Sequence, residues 1–199
     1  MWQGYSGYDH PHSRHEPPSP RDDTLSIIIG YDAVTLREKV DLRAAGERLD
    51  ELGALRSLSA LNEKVGLLRL VGRLDEALDM ANQALRQSRF TGSREDLVAS
   101  RIRRAQVLQF QGKLEDAAYE LTHCLLDAET HEWTSIAAFG RQNRGKVYFE
   151  QGNLEGALAD FKAAVFLREK GGASADELES SLIAVAVVES FIAERDAAR

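Results

Sequence analysis

Few residues in this chain have the types and spacing that could do chemistry. His10, His12 and His15 lie close together and could ligate a metal. They sit in a segment with no cysteine and no preformed geometry, so a metal would carry the full cost of ordering it. Gly140, Gly145 and Lys146 spell a phosphate-loop pattern, but Val147 stands where a Ser or Thr would hold magnesium. No strand precedes that stretch, and a helical pattern runs through it. Cys124 is the single cysteine, so no internal disulfide forms. It shares a column of small residues with Ala84 and Ala164, which suits a buried packing thiol. His123 and His131 lack ligand spacing, and there is no Ser elbow, His-Glu-x-x-His or other catalytic constellation. The expectation is a protein that is not an enzyme, with no metal and no cofactor.

The elements that would position these residues are helical. The chain has 199 residues and a net charge of -7; 43% of it is hydrophobic and 29% charged. The acidic balance argues against duplex nucleic acid as a partner, which needs many Lys and Arg contacts to phosphate. No run of 18 apolar residues appears, so no membrane partner is expected. No secretory pattern is visible, and with a single cysteine a cytoplasmic address is expected. All four prolines, Pro11, Pro17, Pro18 and Pro20, fall within ten residues, and none follows. Residues 1–31 therefore read as a disordered or extended arm. Ile27, Ile28 and Ile29 favour an extended conformation packed on something apolar, with no second strand in view. Residues 32–53 read as an N-terminal capping helix, with its helix over 33–52, and residues 174–199 as a C-terminal one.

Between the caps the sequence repeats. Gly72, Leu74, Asp75 and Ala77 recur as Gly112, Leu114, Glu115 and Ala117, then as Gly152, Leu154, Glu155 and Ala157, in steps of 40 residues. Leu68, Leu108 and Tyr148 align, as do Val65, Ala105 and Gly145. Each glycine can end one helix in a left-handed conformation. Each acidic residue then favours the positive end of the next helix. Residues 54–173 thus form three helix–turn–helix units.

These residues resemble tetratricopeptide (TPR) repeats, in a long variant. The glycine, the aliphatic residue two on and the alanine five on match that pattern, as do the aromatics Tyr148 and Phe161. The period is 40 instead of about 34, and the inter-repeat proline is missing. HEAT and armadillo repeats have the nearer period but leave the glycine turn unexplained. The resemblance implies an all-α, right-handed solenoid whose first helices line a concave groove. The groove-facing residues it implies are Asn62, Gly66, Arg69, Arg103, Gln106, Phe110, Gln142, Asn143, Lys146 and Phe149. They would hold a peptide or helix of another protein, with the basic residues suiting an acidic segment. Gly66 and Phe139 stand at two positions of the family's chaperone-tail clamp, so that clamp is not expected.

The expected function is a protein-interaction scaffold or adaptor, with its N-terminal arm as one candidate occupant of the groove. The alternative is a regulatory sensor or chaperone module binding a signalling peptide or an unfolded segment. Lys64, Arg104 and Arg144 form one basic column, and Arg101 and Arg141 a second. They either make a ladder for an acidic partner or pair with acids such as Glu63, Asp96 and Glu132. Leu182, Ile183 and Val187 lie on a C-terminal helix that is apolar almost all round. That helix is expected to bury its second side within the monomer, against residues 27–29, or in a homodimer.

Overall fold

A computed structural model describes residues 27–199. The expectations for the proline-bearing segment, including His10, His12 and His15, lie outside the described residues. Among these the order is β1 (Ile28–Tyr31), β2 (Glu38–Val40), α1 (Leu42–Leu52), α2 (Leu58–Leu70), α3 (Leu74–Thr91), α4 (Arg94–Phe110), α5 (Leu114–Thr130), α6 (Thr134–Glu150), α7 (Leu154–Gly171) and α8 (Ala175–Ala197). The fold is all-α apart from the small hairpin. Eight helices stack as successive hairpins, each packed on the next, with α2, α4 and α6 also side by side. Helices of 17 residues joined by three-residue connections make up the 40-residue period.

The repeated glycines act as the sequence predicts. Gly72, Gly112 and Gly152 have φ of +79°, +76° and +76°. The next residue donates its N–H back to Leu68, Leu108 or Tyr148 at 2.9 Å, closing a Schellman turn. The small-residue columns are fully buried, including Ala77, Ala117, Ala157 and Cys124. Burial pushes the Cys124 thiol up to about 12.

Paired positions in successive repeats trade volume. Val65 and Ala81 share one cluster, and Ala105 and Leu121 share another. In the third repeat Gly145 meets Phe161, and a Cβ on Gly145 would lie 2.7 Å from that ring. Phe161 is fully buried and cannot give way cheaply. Gly145→Ala is expected to lose about 1 kcal/mol, because overpacking outweighs the gain in helix propensity. Adding Phe161→Leu copies the second repeat and should recover most of the loss. Chemical denaturation of the two single variants and the double variant measures the coupling; simple additivity would contradict the packing.

The capping helix begins later than expected. Residues 32–40, read as helix, instead form a turn and β2, and β2 is the second strand that the sequence did not reveal. Asp32 Oδ1 accepts from the N–H groups of Val34 and Thr35 at 3.0 and 2.8 Å, and from the Thr35 hydroxyl at 2.9 Å. Such side-chain bonds favour a turn over a helix. β1 and β2 pair antiparallel, Tyr31 opposite Glu38, with an irregularity between Ile28 and Gly30. Asp41 then caps α1 through the N–H groups of Arg43 and Ala44.

Candidate binding groove

The first helices α2, α4, α6 and α8 share one face, and the hairpin of residues 27–40 lies on it. Glu38 is the centre of the contact. Its carboxylate accepts from Arg69 Nη1 of α2 at 3.1 Å and from Lys146 Nζ of α6 at 2.8 Å. The Glu38 and Arg69 side chains are each 7% exposed, and that of Lys146 12%. Arg69 Nε is buried with no hydrogen-bond partner among the described residues.

The neighbouring residues are engaged too. Arg37 donates from Nε and Nη2 to Glu150 at 3.2 and 3.1 Å, and Glu150 also accepts from Gln109 Nε2 at 3.0 Å. The guanidiniums of Arg37 and Arg69 lie 4.7 and 4.5 Å from the centre of the Phe110 ring. Leu36 is 2% exposed and joins the apolar cluster of α6, α7 and α8 that includes Phe149, Val187 and Val188. Its φ of +56° is left-handed, a conformation that costs a leucine about 1–2 kcal/mol. Tyr31 borders one cleft with Ser180 of α8, and its ring faces Lys146; burial pushes its phenol up.

Burial alone would raise the Glu38 carboxyl. The adjoining Lys146 and Arg69 charges outweigh it and hold the group well below the usual carboxylate range. A depressed carboxyl stabilises the state that holds it above the free-glutamate value of about 4.3, and the contribution is lost as pH falls through the native value. Hairpin docking is therefore expected to be flat between about pH 5 and 8 and to weaken below about pH 4. Amide resonances of Glu38–Val40 across a pH series test this; loosening already near pH 6 would contradict it.

The residues expected in the groove make different contacts. Arg69, Phe110 and Lys146 hold the hairpin. Phe149 packs edge-on against Phe191 of α8 with ring centres 5.2 Å apart. Asn62, Gln106, Gln142 and Asn143 tie successive first helices together. Ser100 Oγ donates to Asn62 at 3.2 Å, Gln106 Nε2 to Asn143 at 2.7 Å, and Ser181 Oγ to Gln142 at 2.6 Å. Asn143 also donates to the Phe139 carbonyl at 2.8 Å. Arg103 donates to the Ala99 carbonyl at 3.3 Å, and its guanidinium lies 5.3 Å from the Phe139 ring centre.

Sequence reasoning did not single out Tyr31, Leu36, Arg37, Glu38 or Glu150. One signal existed for Glu150. An acid in the last turn of a helix opposes the helix dipole, so it asks for a cation.

The basic columns are paired with acids other than those expected. Arg104 forks onto Glu120 at 2.7 and 3.0 Å, and Arg144 onto Asp160 at 2.7 and 2.9 Å. Arg101 and Arg141 approach the same two acids. In the first repeat Met80 stands where these acids would be, and Lys64 donates to the carbonyls of Gly53 and Leu55 at 2.7 and 2.8 Å. Glu63 instead pairs with Arg48, and Asp96 completes a capping box with Ser93. On α8, Leu182 is 49% exposed, while Ile183 and Val187 are half-buried. Ile183 borders a cleft with Ile28, Ile29 and Tyr31, so the arm covers part of this helix.

No protein-family model matches the sequence, and no curated protein matches it. Solved structures do share the fold. The BtubC (BKLC) structure from P. vanneervenii superposes with a TM-score of 0.56 at 19% identity, covering 75% of this chain and 66% of that one. The apo form of RapI gives a TM-score of 0.59 at 17% identity, covering 79% of this chain and 58% of that one. The chain thus spans just under two thirds of the first and less of the second. These likenesses establish the fold class, a TPR-like stack of helical hairpins, and nothing more specific. No helix among the described residues is long and apolar enough to cross a membrane, and none of their His, Cys, Asp and Glu residues cluster as a metal site.

Proposed function

We propose that this protein is a non-enzymatic interaction module, at work in the cytoplasm, that binds a peptide or helical segment of a partner across α2, α4, α6 and α8. Its own hairpin is the resident occupant of that face, so binding is coupled to release of residues 27–40. The observation that carries this reading is Glu38, held by cations from two helices that belong to different repeats. A side chain gripped in this way supports reading the face as one that holds an extended acidic segment. The presence of a resident occupant favours a regulated module over a constitutive scaffold.

Affinity capture with quantitative mass spectrometry tests the proposal, using the full chain, its Leu36→Ala variant and the Leu36→Ala/Phe110→Ala double variant. Loosening the hairpin through Leu36 should increase a defined set of retained proteins, and removing the Phe110 shelf from that loosened chain should deplete the same set. Identical sets from all three chains would overturn the proposal.

A further inference from the structure

We infer that the groove recognises an internal side-chain carboxylate placed two residues after an aliphatic residue in an extended segment. Leu36 and Glu38 are the chain's own stand-in for that ligand, and another segment carrying a carboxylate displaces them. The inference rests on the reading of this face as a binding surface and specifies what it binds.

Three observations carry it. First, the cation pair needs an anion. Arg69 and Lys146 come from helices two repeats apart, yet both reach Glu38, and both side chains are largely buried. In the docked state both cations are largely buried and meet Glu38, and Arg69 Nε lacks a partner, so any segment that covers them in the hairpin's place must bring an anion or bury two like charges together. A replacement carboxylate removes that penalty; a neutral segment does not.

Second, Leu36 is held in a conformation that a leucine disfavours, at φ +56°, and its side chain is almost completely buried. Strain of this kind persists where the surroundings require it. Here they require an aliphatic group in the α6–α8 cluster at a fixed distance along the chain from the carboxylate.

Third, the stack is continuous from α1 to α8, and the hairpin is held to it at two places: Ile27 and Val40 pack into the α1–α2 core at its base, and residues 36–38 lie across α2, α6 and α8. Each helix packs on the next without it. Ala33, Val34, Thr35 and Lys39 are exposed. The contacts that a partner segment could take over, leaving the base of the hairpin in place, are those of residues 36–38.

The test uses an octapeptide with the sequence of residues 33–40, acetylated and amidated so that Glu38 supplies its only carboxylate. Fluorescence anisotropy measures its binding to the full-length chain and to the full-length Glu38→Gln chain. The peptide should bind the variant at least about tenfold tighter than the unaltered chain. A peptide with Gln in place of that Glu should bind the variant about tenfold weaker or worse, since one hydrogen-bonded charge is lost. A peptide with Ala in place of Leu should be weakened as well.

Equal binding of the Glu and Gln peptides, or no binding of the Glu peptide, would overturn the inference. Circular dichroism checks folding, and if Glu38→Gln does not melt cooperatively the Leu36→Ala chain takes its place with the same expected results. If that chain captures partners but does not distinguish the peptides, the recognition rule falls and the interaction module stands. If the peptides are distinguished and nothing is captured, the rule stands and the module reading falls.

Discussion

A Glu38→Ala chain is expected to keep its helices and shed its hairpin. Glu38 is the common partner of Arg69 and Lys146. Its removal strands both cations in a site from which water is largely excluded. Breaking a buried pair by deleting one partner costs about 3 kcal/mol or more, most of it the penalty on the charge left behind. Applied to hairpin docking, that is a loss of about 100-fold in the docking equilibrium. Hydrogen exchange of β2 amides should accelerate accordingly, while amides in α4 and α6 should change little. An exposed pair provides the comparison: Arg43 and Glu47 have side chains 87% and 60% exposed, so Glu47→Ala should shift stability by no more than about 0.5 kcal/mol. Unchanged β2 protection in Glu38→Ala would show that the ion pairs do not hold the hairpin.

The second large effect belongs to the stack itself. Asp160 is 1% exposed and serves two arginines: Arg141 at 2.7 Å, and Arg144 in a fork at 2.7 and 2.9 Å. Asp160→Ala leaves both guanidiniums facing a cavity inside the third repeat. A cost of about 3–5 kcal/mol is expected, which for a chain of this size corresponds to about 10 °C in Tm. The loss should centre on α6 and α7, because a stack of repeats is held by near-neighbour contacts. Replacing Asp160, Arg141 and Arg144 together with apolar residues should cost less than removing Asp160 alone. A melting temperature within about 2 °C of the unaltered chain would contradict this account of the arginine columns.

The stack was legible in the sequence because its signals are local and repeated. A glycine, an aliphatic residue, an acid and an alanine fix each turn and the start of the next helix, and they recur every 40 residues. The turns at Gly72, Gly112 and Gly152 consequently stand where the sequence places them. The hairpin was illegible for the opposite reason. β2 is Glu38-Lys39-Val40, and two of its three residues favour helix when judged alone. It is a strand because β1 lies beside it and because Glu38 finds cations 31 and 108 residues away.

Of the residues that the resemblance assigns to a groove, Arg69, Phe110 and Lys146 meet the hairpin, whose place on them nothing in the sequence announces. Asn62, Gln106 and Gln142 are ligand-facing by the resemblance, but their partners lie 38, 37 and 39 residues onward, one repeat along, and they fasten repeat to repeat. A polar residue matched by another at nearly the repeat distance is a signal of that role.

Native-state hydrogen exchange of the unaltered chain tests the central claim most directly, because it asks whether the hairpin is docked and yet separable. Residues 28–40 should be protected, with an opening free energy clearly below that of α4 and α6, and Glu38→Gln should lower that energy without moving the helices. Hairpin amides that open only with the helices would make residues 27–40 a permanent part of the core. Amides with no protection would mean that the groove has no resident occupant, and either result would contradict the account.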